Sequence, residues 1–421
     1  MILFITRIPP NAGGPGGSQR SMHLLRAALT RGPVDLVVLY RAGDREAAAD
    51  PLDSTRSLVR FARTFEVPEW APSYKRWPRL SWRLGQILEM LSLHSADAPR
   101  FSSRTLREIA VLLPARNYDV IYAGHISAAC IVDALVEHGL LKVGRKVVDL
   151  CDMISRLKER ALELDGPGEG RLRRTLQRID LRRLRAAEVR VARSWDAVSI
   201  ASASEGEQLS ALAGTPVRTL PNVVNRPLLP VAPDEHGARV LFVGHLGYQP
   251  NVQGLIHFLD DAWPLIVARL PRARLDVVGM YPEADLAKRL HQAGARLHAN
   301  VPTVEPFYVD CGLVIAPILL GSGTRIKILE AMAYGRAVVA TTVGAEGLGV
   351  VSGRDALIAD TMPAFADAVV RLAQDAELRA TLVENGRRLQ QARYSPAAIT
   401  ELVGAMIDAP ASSPAGAIGP T

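Results

Sequence analysis

Apolar residues along this chain fall into two successive rounds of one pattern. The first opens with an unbroken apolar run, Ile2-Leu3-Phe4-Ile5, then a glycine-rich turn, then Met22, Leu25, Ala28 and Leu29 at helical spacing. Continuous apolar runs read as strands buried on both faces, and the 3, 4 spacing reads as a helix packed on a sheet. The pattern predicts further strands at 34–40, 118–125, 146–150 and 197–201, and a helix at 128–138. A long helical stretch is expected over 155–195, broken around 166–170, and Ser204 is expected to cap a helix beginning near Glu205. Residues 41–110 show no clean period.

A proline-rich polar stretch from Leu220 through Pro221, Pro227, Pro230 and Pro233 to Gly237 reads as a linker. Then the pattern restarts. Strands are expected at 239–244, 275–279, 313–316 and 338–341, with a strand end at 358–360. Helices are expected after Pro250-Asn251 (Leu255, Phe258 and Leu259 inward), at 284–293, and over Ile326, Leu329 and Ala333, with only a short turn at 304–307. Gly335 sits where a left-handed residue ends the helix of the 326–333 region. Three more helices are expected at 363–374, 376–392 and 396–407. The fold class is α/β, with two Rossmann-like domains built on parallel sheets with right-handed crossovers. The expected boundaries are 1–224, 225–395, a helix at 396–408 crossing back to the first domain, and a disordered tail at 409–421.

Composition narrows the setting. At 48% hydrophobic the 421-residue chain has material for real cores. Cys130, Cys151 and Cys311 are scattered without CxxC pairing, which reads as buried thiols in a reducing compartment. The opening residues lack a signal-peptide cleavage site, and no apolar run of about 18 residues is present for a membrane span. The expected location is cytoplasmic. The net charge of +7 is uneven: residues 156–193 hold twelve Lys and Arg against six Asp and Glu. Such a stretch suits a phospholipid surface, a lipid-linked phosphate or nucleic acid, or is a solvated helical face. Trp70, Tyr74, Lys75, Arg76, Trp77, Arg79, Trp82 and Arg83 interleave indoles with cations. This suits a membrane interface, stacking on sugars or bases, or packing of an irregular insert. No recognition module for nucleic acid accompanies either stretch.

Candidate chemistry concentrates in Gly321-Ser322-Gly323-Thr324-Arg325-Ile326-Lys327, which leads from a strand into a helix. Glycines admit close backbone approach, a helix N-terminus attracts anions, and two cations reinforce it. This is an anion site suited to a diphosphate, or else a glycine-rich turn before a helix with solvated charges. Glu330, one to two turns in, is badly placed for phosphate but suited to accept from two vicinal hydroxyls. Diphosphate plus diol describes a nucleotide or nucleotide sugar. Near the start, Gly13-Gly14-Pro15-Gly16-Gly17 is not the dinucleotide-binding fingerprint, since the GxGxxG spacing is wrong and no acidic residue follows the second strand. His125, at a strand's C-terminal end, is the histidine best placed for a site, although a lone histidine is as readily structural.

The segments at 240–251 (VLFVGHLGYQPN), 303–308 and 315–348 (IAPILLGSGTRIKILEAMAYGRAVVATTVGAEGL) resemble retaining glycosyltransferases of family 4, group 1, with the GT-B fold, especially sugar transferases of bacterial polysaccharide biosynthesis. The resemblance covers nearly the whole chain. It implies a second domain that holds a UDP- or GDP-linked sugar, a first domain that holds a lipid-linked or glycan acceptor, and loops of both lining a central cleft. It implies Glu330 on the ribose, Arg325 and Lys327 at the diphosphate, Gly244 and Asn251 in the first loop of the donor domain, Gly16 and Gly17 approaching the diphosphate, and His125 beside the transferred sugar. It implies no cofactor beyond the donor, and with no Asp-x-Asp motif no metal is expected. One departure is clear. The family signature places a second glutamate eight positions before Glu330, where this chain has Ser322, so the residue that contacts the donor sugar differs. An anionic membrane surface is an expected partner and nucleic acid is not. Alternatives are a nucleotide-sugar 2-epimerase of the same fold, or a non-catalytic sugar-nucleotide-binding subunit.

Overall fold

The computed structural model of the chain describes residues 1–12, 16–41, 52–67, 95, 97–98, 101–164, 171–229, 238–319 and 325–409. Contacts divide the chain into two compact units, Met1–Pro221 together with the chain from Ile399 onward, and Asn222–Ala398.

The first unit runs β1 (Ile2–Thr6), α1 (Gly16–Leu29), β2 (Val34–Arg41), β3 (Phe61–Val67), α2 (Ser103–Leu112), β4 (Asn117–Gly124), α3 (Ile126–Glu137), β5 (Lys142–Asp149), α4 (Ile154–Leu164), α5 (Arg171–Ser194), β6 (Ala197–Ile200), α6 (Ala203–Ala213) and β7 (Arg218–Thr219). Among the described residues its seven strands are all parallel, in the order β3-β2-β1-β4-β5-β6-β7. Every residue of β1 is buried, as a central strand covered by helices on both faces requires. Phe4 and Tyr122 face each other across β1 and β4 and stack at 5.1 Å, a pair worth about 1 kcal/mol beyond the area it buries. At the end of the same ladder Thr6 pairs with Gly124, where any side chain would begin 2.8 Å from the Thr6 Oγ1.

The second unit runs β8 (Arg239–Val243), α7 (Gln249–His257), a π turn (Phe258–Ala262), α8 (Trp263–Arg269), β9 (Arg274–Gly279), α9 (Ala284–Gln292), β10 (Arg296–Ala299), α10 (Glu305–Asp310), β11 (Leu313–Ala316), α11 (Ile326–Ala333), β12 (Ala337–Ala340), α12 (Thr342–Ala345), β13 (Leu357–Ile358), α13 (Met362–Gln374) and α14 (Ala376–Tyr394). Among the described residues its six strands are parallel, in the order β10-β9-β8-β11-β12-β13. Gly335 follows α11 at φ 74°, the left-handed stop expected from the sequence. The last helix, α15 (Pro396–Asp408), buries Ile399, Val403, Met406 and Ile407. Its Met406 carbonyl accepts from Arg145 Nε at 2.9 Å, and Asp408 pairs with Arg31 at 3.3 Å. Arg145 and Arg31 both belong to the first unit.

The structure corrects several expectations. Residues 41–110 contain β3 and most of α2. β3 escapes the pattern because it is an edge strand, and polar Arg63, Thr64 and Glu66 on a strand exposed at one edge erase the apolar run. α2 is capped by Ser102, which accepts from the Thr105 N–H at 3.1 Å. Ser204 is not a cap: α6 begins at Ala203, and Ser202 occupies the cap position, its hydroxyl 3.2 Å from the Ser204 Oγ and making no capping bond to a backbone N–H. Residues 305–310 are helical, β7 and β10 are additional strands, and β5 starts four residues before its expected start. Residues 70–83, 166–170 and the tail beyond 409 lie outside the described residues. No helix among the described residues is long and apolar enough to cross a membrane.

Candidate active site

In each sheet the chain reverses direction of build-up between two neighbouring strands, and ligands of open α/β sheets bind outside the C-terminal ends of such a pair. In the second unit that pair is β8 and β11. Gly244 follows β8, and the segment 317–325 follows β11. Sequence-distant residues therefore meet at one sheet edge.

The meeting is direct for three of the expected residues. Lys327, in the first turn of α11, donates from Nζ to Asn251 Oδ1 at 2.7 Å. Asn251, near the start of α7, donates from Nδ2 to the His245 carbonyl at 2.9 Å. Gly244 is where they converge: a methyl group there would lie 3.0 Å from Asn251 Nδ2 and 3.2 Å from Lys327 Nζ. The ammonium also rests 4.4 Å from the centre of the Phe242 ring, a favourable cation–π contact. Burial, and then the charge of Arg325, lower the Lys327 pKa to about 7. The fold thus holds a lysine at the N-terminus of a helix with its proton loosely bound, where an anion would tighten it.

Arg325 is differently employed. It caps α11, is 8% exposed, and points its Nε at the Val343 carbonyl of α12 at 3.2 Å, with Glu346 at 3.9 Å. It acts on Lys327 through its charge. Glu330 lies one turn beyond Lys327 and binds Arg226 rather than either cation, its Oε1 accepting from Arg226 Nη2 at 2.8 Å. Arg226 had no signal in the sequence, because a basic residue in a proline-rich linker has no period to mark it. Gly321, Ser322, Gly323 and Thr324 lie outside the described residues.

Beside this group the backbone is strained in two places. Tyr281, after β9, has φ 56°, and Asn300, after β10, has φ 53°. Asn300 Oδ1 accepts from the Tyr281 N–H at 3.1 Å, so each supports the other. The Tyr281 ring is exposed, with His245 5.4 Å away. Left-handed non-glycine residues cost energy and cluster at binding sites.

In the first unit the corresponding pair is β1 and β4. His125 follows β4, at φ 91°, and caps α3. Its Nδ1 accepts from the Ser127 N–H at 3.3 Å and lies 2.8 Å from Ser127 Oγ. An amide can only donate, so the ring proton is assigned to Nε2. Burial, and then Arg7, push the His125 pKa down to about 4, so the ring is neutral at pH 7. Gly16 and Gly17 open α1 after β1. A methyl at Gly17 would meet Ile8 at an ordinary 3.4 Å, so packing does not demand glycine there.

Two groupings near His125 were not legible from the sequence. Arg20 grips Asp149 with two bonds, 2.8 and 2.6 Å, and donates to the Leu220 carbonyl at 2.7 Å, while Ser199 Oγ adds 2.9 Å to the same carboxylate. Asp97 pairs with Lys158 at 2.6 Å, and Lys158 with Asp180 at 2.7 Å. Both join residues far apart in the chain, so no local pattern announces them. Among the described residues no three His, Cys, Asp or Glu side chains are grouped so as to hold a metal ion.

Comparison with known proteins bears on the fold and on the second unit. Residues 237–375 match the family model of glycosyl transferases group 1. A stretch of 150 residues is 29% identical to an uncharacterized 44.6 kDa protein in the cps region of Klebsiella pneumoniae; it takes in 34% of this chain and 39% of the length of that relative. Among solved structures, sucrose-phosphate synthase from Thermosynechococcus elongatus superposes with a TM-score of 0.62 at 15% identity, over 96% of this chain and 97% of that one. Anabaena HepE, solved with UDP and glucose, gives 0.60 at 15% identity over 96% and 98%. A variant of S. aureus TarM, solved with fondaparinux, α-GlcNAc-glycerol and UDP, gives 0.61 at 12% identity over 97% and 100%. The α/β architecture of both units is thus the GT-B fold, and the chain carries a group 1 glycosyltransferase domain in its second unit.

Proposed function

We propose that this glycosyltransferase moves a sugar from a UDP- or GDP-linked donor to a hydroxyl of a lipid-linked or glycan acceptor, with retention of configuration. The observation that carries the reading is the convergence of Lys327, Asn251 and Gly244 at the N-terminus of α11, with Glu330 one turn further in. Cleaving the donor's glycosidic bond leaves a diphosphate, and stabilising that leaving charge is the main catalytic requirement. Lys327, the charge of Arg325 and the amides opening α11 supply it from fixed positions, so the reading needs no metal and no cofactor. The Glu330 carboxylate takes the ribose hydroxyls. In the first unit, which holds the acceptor in this reading, neutral His125 offers an Nε2–H to a sugar hydroxyl. Gly16 and Gly17 give close backbone approach at the start of α1. The solved relatives bound to UDP support a uridine donor, and the curated relative's cps region supports a polysaccharide context.

Donor turnover in Lys327→Ala and Glu330→Ala tests the assignment. Removing one fixed charge from a leaving-group site costs on the order of 10² to 10³ in kcat. Near-normal rates in both variants would remove these residues from the site. Product formed from donor alone, without acceptor, would instead identify an epimerase. The same reading places the protein at the cytoplasmic face of a membrane, supported by the exposed Arg182 and Arg190 of α5 and by three free thiols. It expects salt-sensitive binding to anionic vesicles, and equal recovery on neutral vesicles at low salt would refute that.

A further inference from the structure

Glu330 is held from one side. Arg226 belongs to the segment before β8, and residues 224–229 of that segment are pinned to the body of the second unit at both ends. The Val224 N–H donates to the Tyr394 carbonyl at 3.1 Å, Gln390 Nε2 donates to the Val224 carbonyl at 2.6 Å, and the Leu229 N–H donates to the Tyr334 carbonyl at 3.3 Å. Arg226 therefore reaches Glu330 from a backbone anchored on both sides. Tyr308 and Tyr334, stacked at 4.5 Å, lie within electrostatic reach of both members of the pair.

As a device for stability the pair is poor. The Arg226 Nε is buried without a hydrogen-bond partner. A half-buried ion pair with an unmet donor contributes little that two apolar side chains would not. What the pair does achieve is geometric. It fixes Oε1 of Glu330 and leaves Oε2 unengaged among the described residues. A carboxylate so fixed suits two adjacent hydroxyl donors and nothing anionic.

We propose that Arg226 is a positioning residue for ribose recognition, holding the Glu330 carboxylate in the orientation that accepts the 2′- and 3′-hydroxyls of the donor nucleotide. This rests on the donor-site reading above and adds the residue that makes it selective for ribose. Arg226 acts through Glu330 alone, so it affects only ligands that carry both hydroxyls.

The experiment is calorimetric titration of UDP, GDP and ADP, with the 2′-deoxy and 2′,3′-dideoxy forms of whichever binds, into wild type, Arg226→Ala, Arg226→Lys, Glu330→Ala and the Arg226→Ala, Glu330→Ala double variant. Wild type should prefer the ribonucleotide on the order of 10- to 100-fold, the worth of a hydrogen bond to a charged group. Arg226→Ala should narrow that preference to a few-fold, weaken the ribonucleotide only, and add nothing to Glu330→Ala. Arg226→Lys keeps the charge without the planar fork and should fall between; it replaces Arg226→Ala if the latter does not fold. An undiminished ribose preference in the Arg226 variants, or equal weakening of ribo and deoxy ligands, overturns this inference alone. Failure of wild type to bind any of the three diphosphates overturns the donor-site reading and this inference with it.

Discussion

Lys327 loses its proton at about pH 7 in the free protein, because burial and then Arg325 disfavour the ammonium. A bound diphosphate reverses that balance and Lys327 takes up a proton, so nucleotide affinity should fall as pH rises from 7 towards 9, by up to tenfold per unit. Lys327→Arg should flatten that profile, which calorimetry across pH reads directly. The same shift makes stability pH-dependent. The folded value lies below the ordinary 10.5, so the unfolded chain binds the extra proton between the two, and stability rises over pH 7 to 10.5. Denaturation midpoints of Lys327→Met should lack that rise. His125 behaves differently. With a pKa near 4 it stays neutral from pH 5.5 to 8, so kcat/KM over that range should carry no ionisation that His125→Asn removes. At this scale the sequence marked Lys327, Arg325 and Glu330 through glycine spacing and charge at a strand-to-helix turn, and Asn251 and Gly244 only through the family resemblance. It did not show that Arg325 turns to α12 while Lys327 turns to Asn251, because side-chain direction depends on packing against α12 and α7.

At the scale of elements, the strand-to-helix turns set the precision of the site. Gly244→Ala places a methyl 3.0 to 3.2 Å from Asn251 and Lys327, displacing both by a few tenths of an ångström. Donor turnover should drop by about tenfold or more while the melting temperature stays near wild type, since misplacement costs rate before stability. Gly254→Ala is the contrast: its methyl would meet the Pro317 backbone carbonyl at 2.1 Å, with no flexible side chain to give way, and should lower stability by about 2 kcal/mol or more. The central strands and the helices with 3, 4 apolar spacing were readable because burial on both faces leaves no room for polar residues. Edge strands β3, β7 and β10 were not, since one free edge relaxes that demand.

At the scale of the whole molecule, the chain returns to its first unit through α15. Ile399, Val403, Met406 and Ile407 are buried there. At about 1.5 to 3 kcal/mol each, they contribute a sum comparable with the total stability of a domain. Truncation before Pro396 should therefore unfold the first unit, seen as the loss of one transition in calorimetry, with the second unit's transition kept. The two-domain organisation was visible because the strand-turn-helix pattern restarts after a proline-rich segment. The role of that segment was not, since its composition reads as spacer while Arg226 within it reaches Glu330.

The measurement that bears most directly on the account is thermal stability of the intact protein against a panel of UDP-, GDP- and ADP-sugars, with Lys327→Ala and Glu330→Ala alongside. One nucleotide class should stabilise wild type by about 2.7 kcal/mol at a hundredfold excess over Kd and leave both variants far less responsive. A wild type indifferent to every sugar nucleotide, or variants that respond as strongly as wild type, would contradict it.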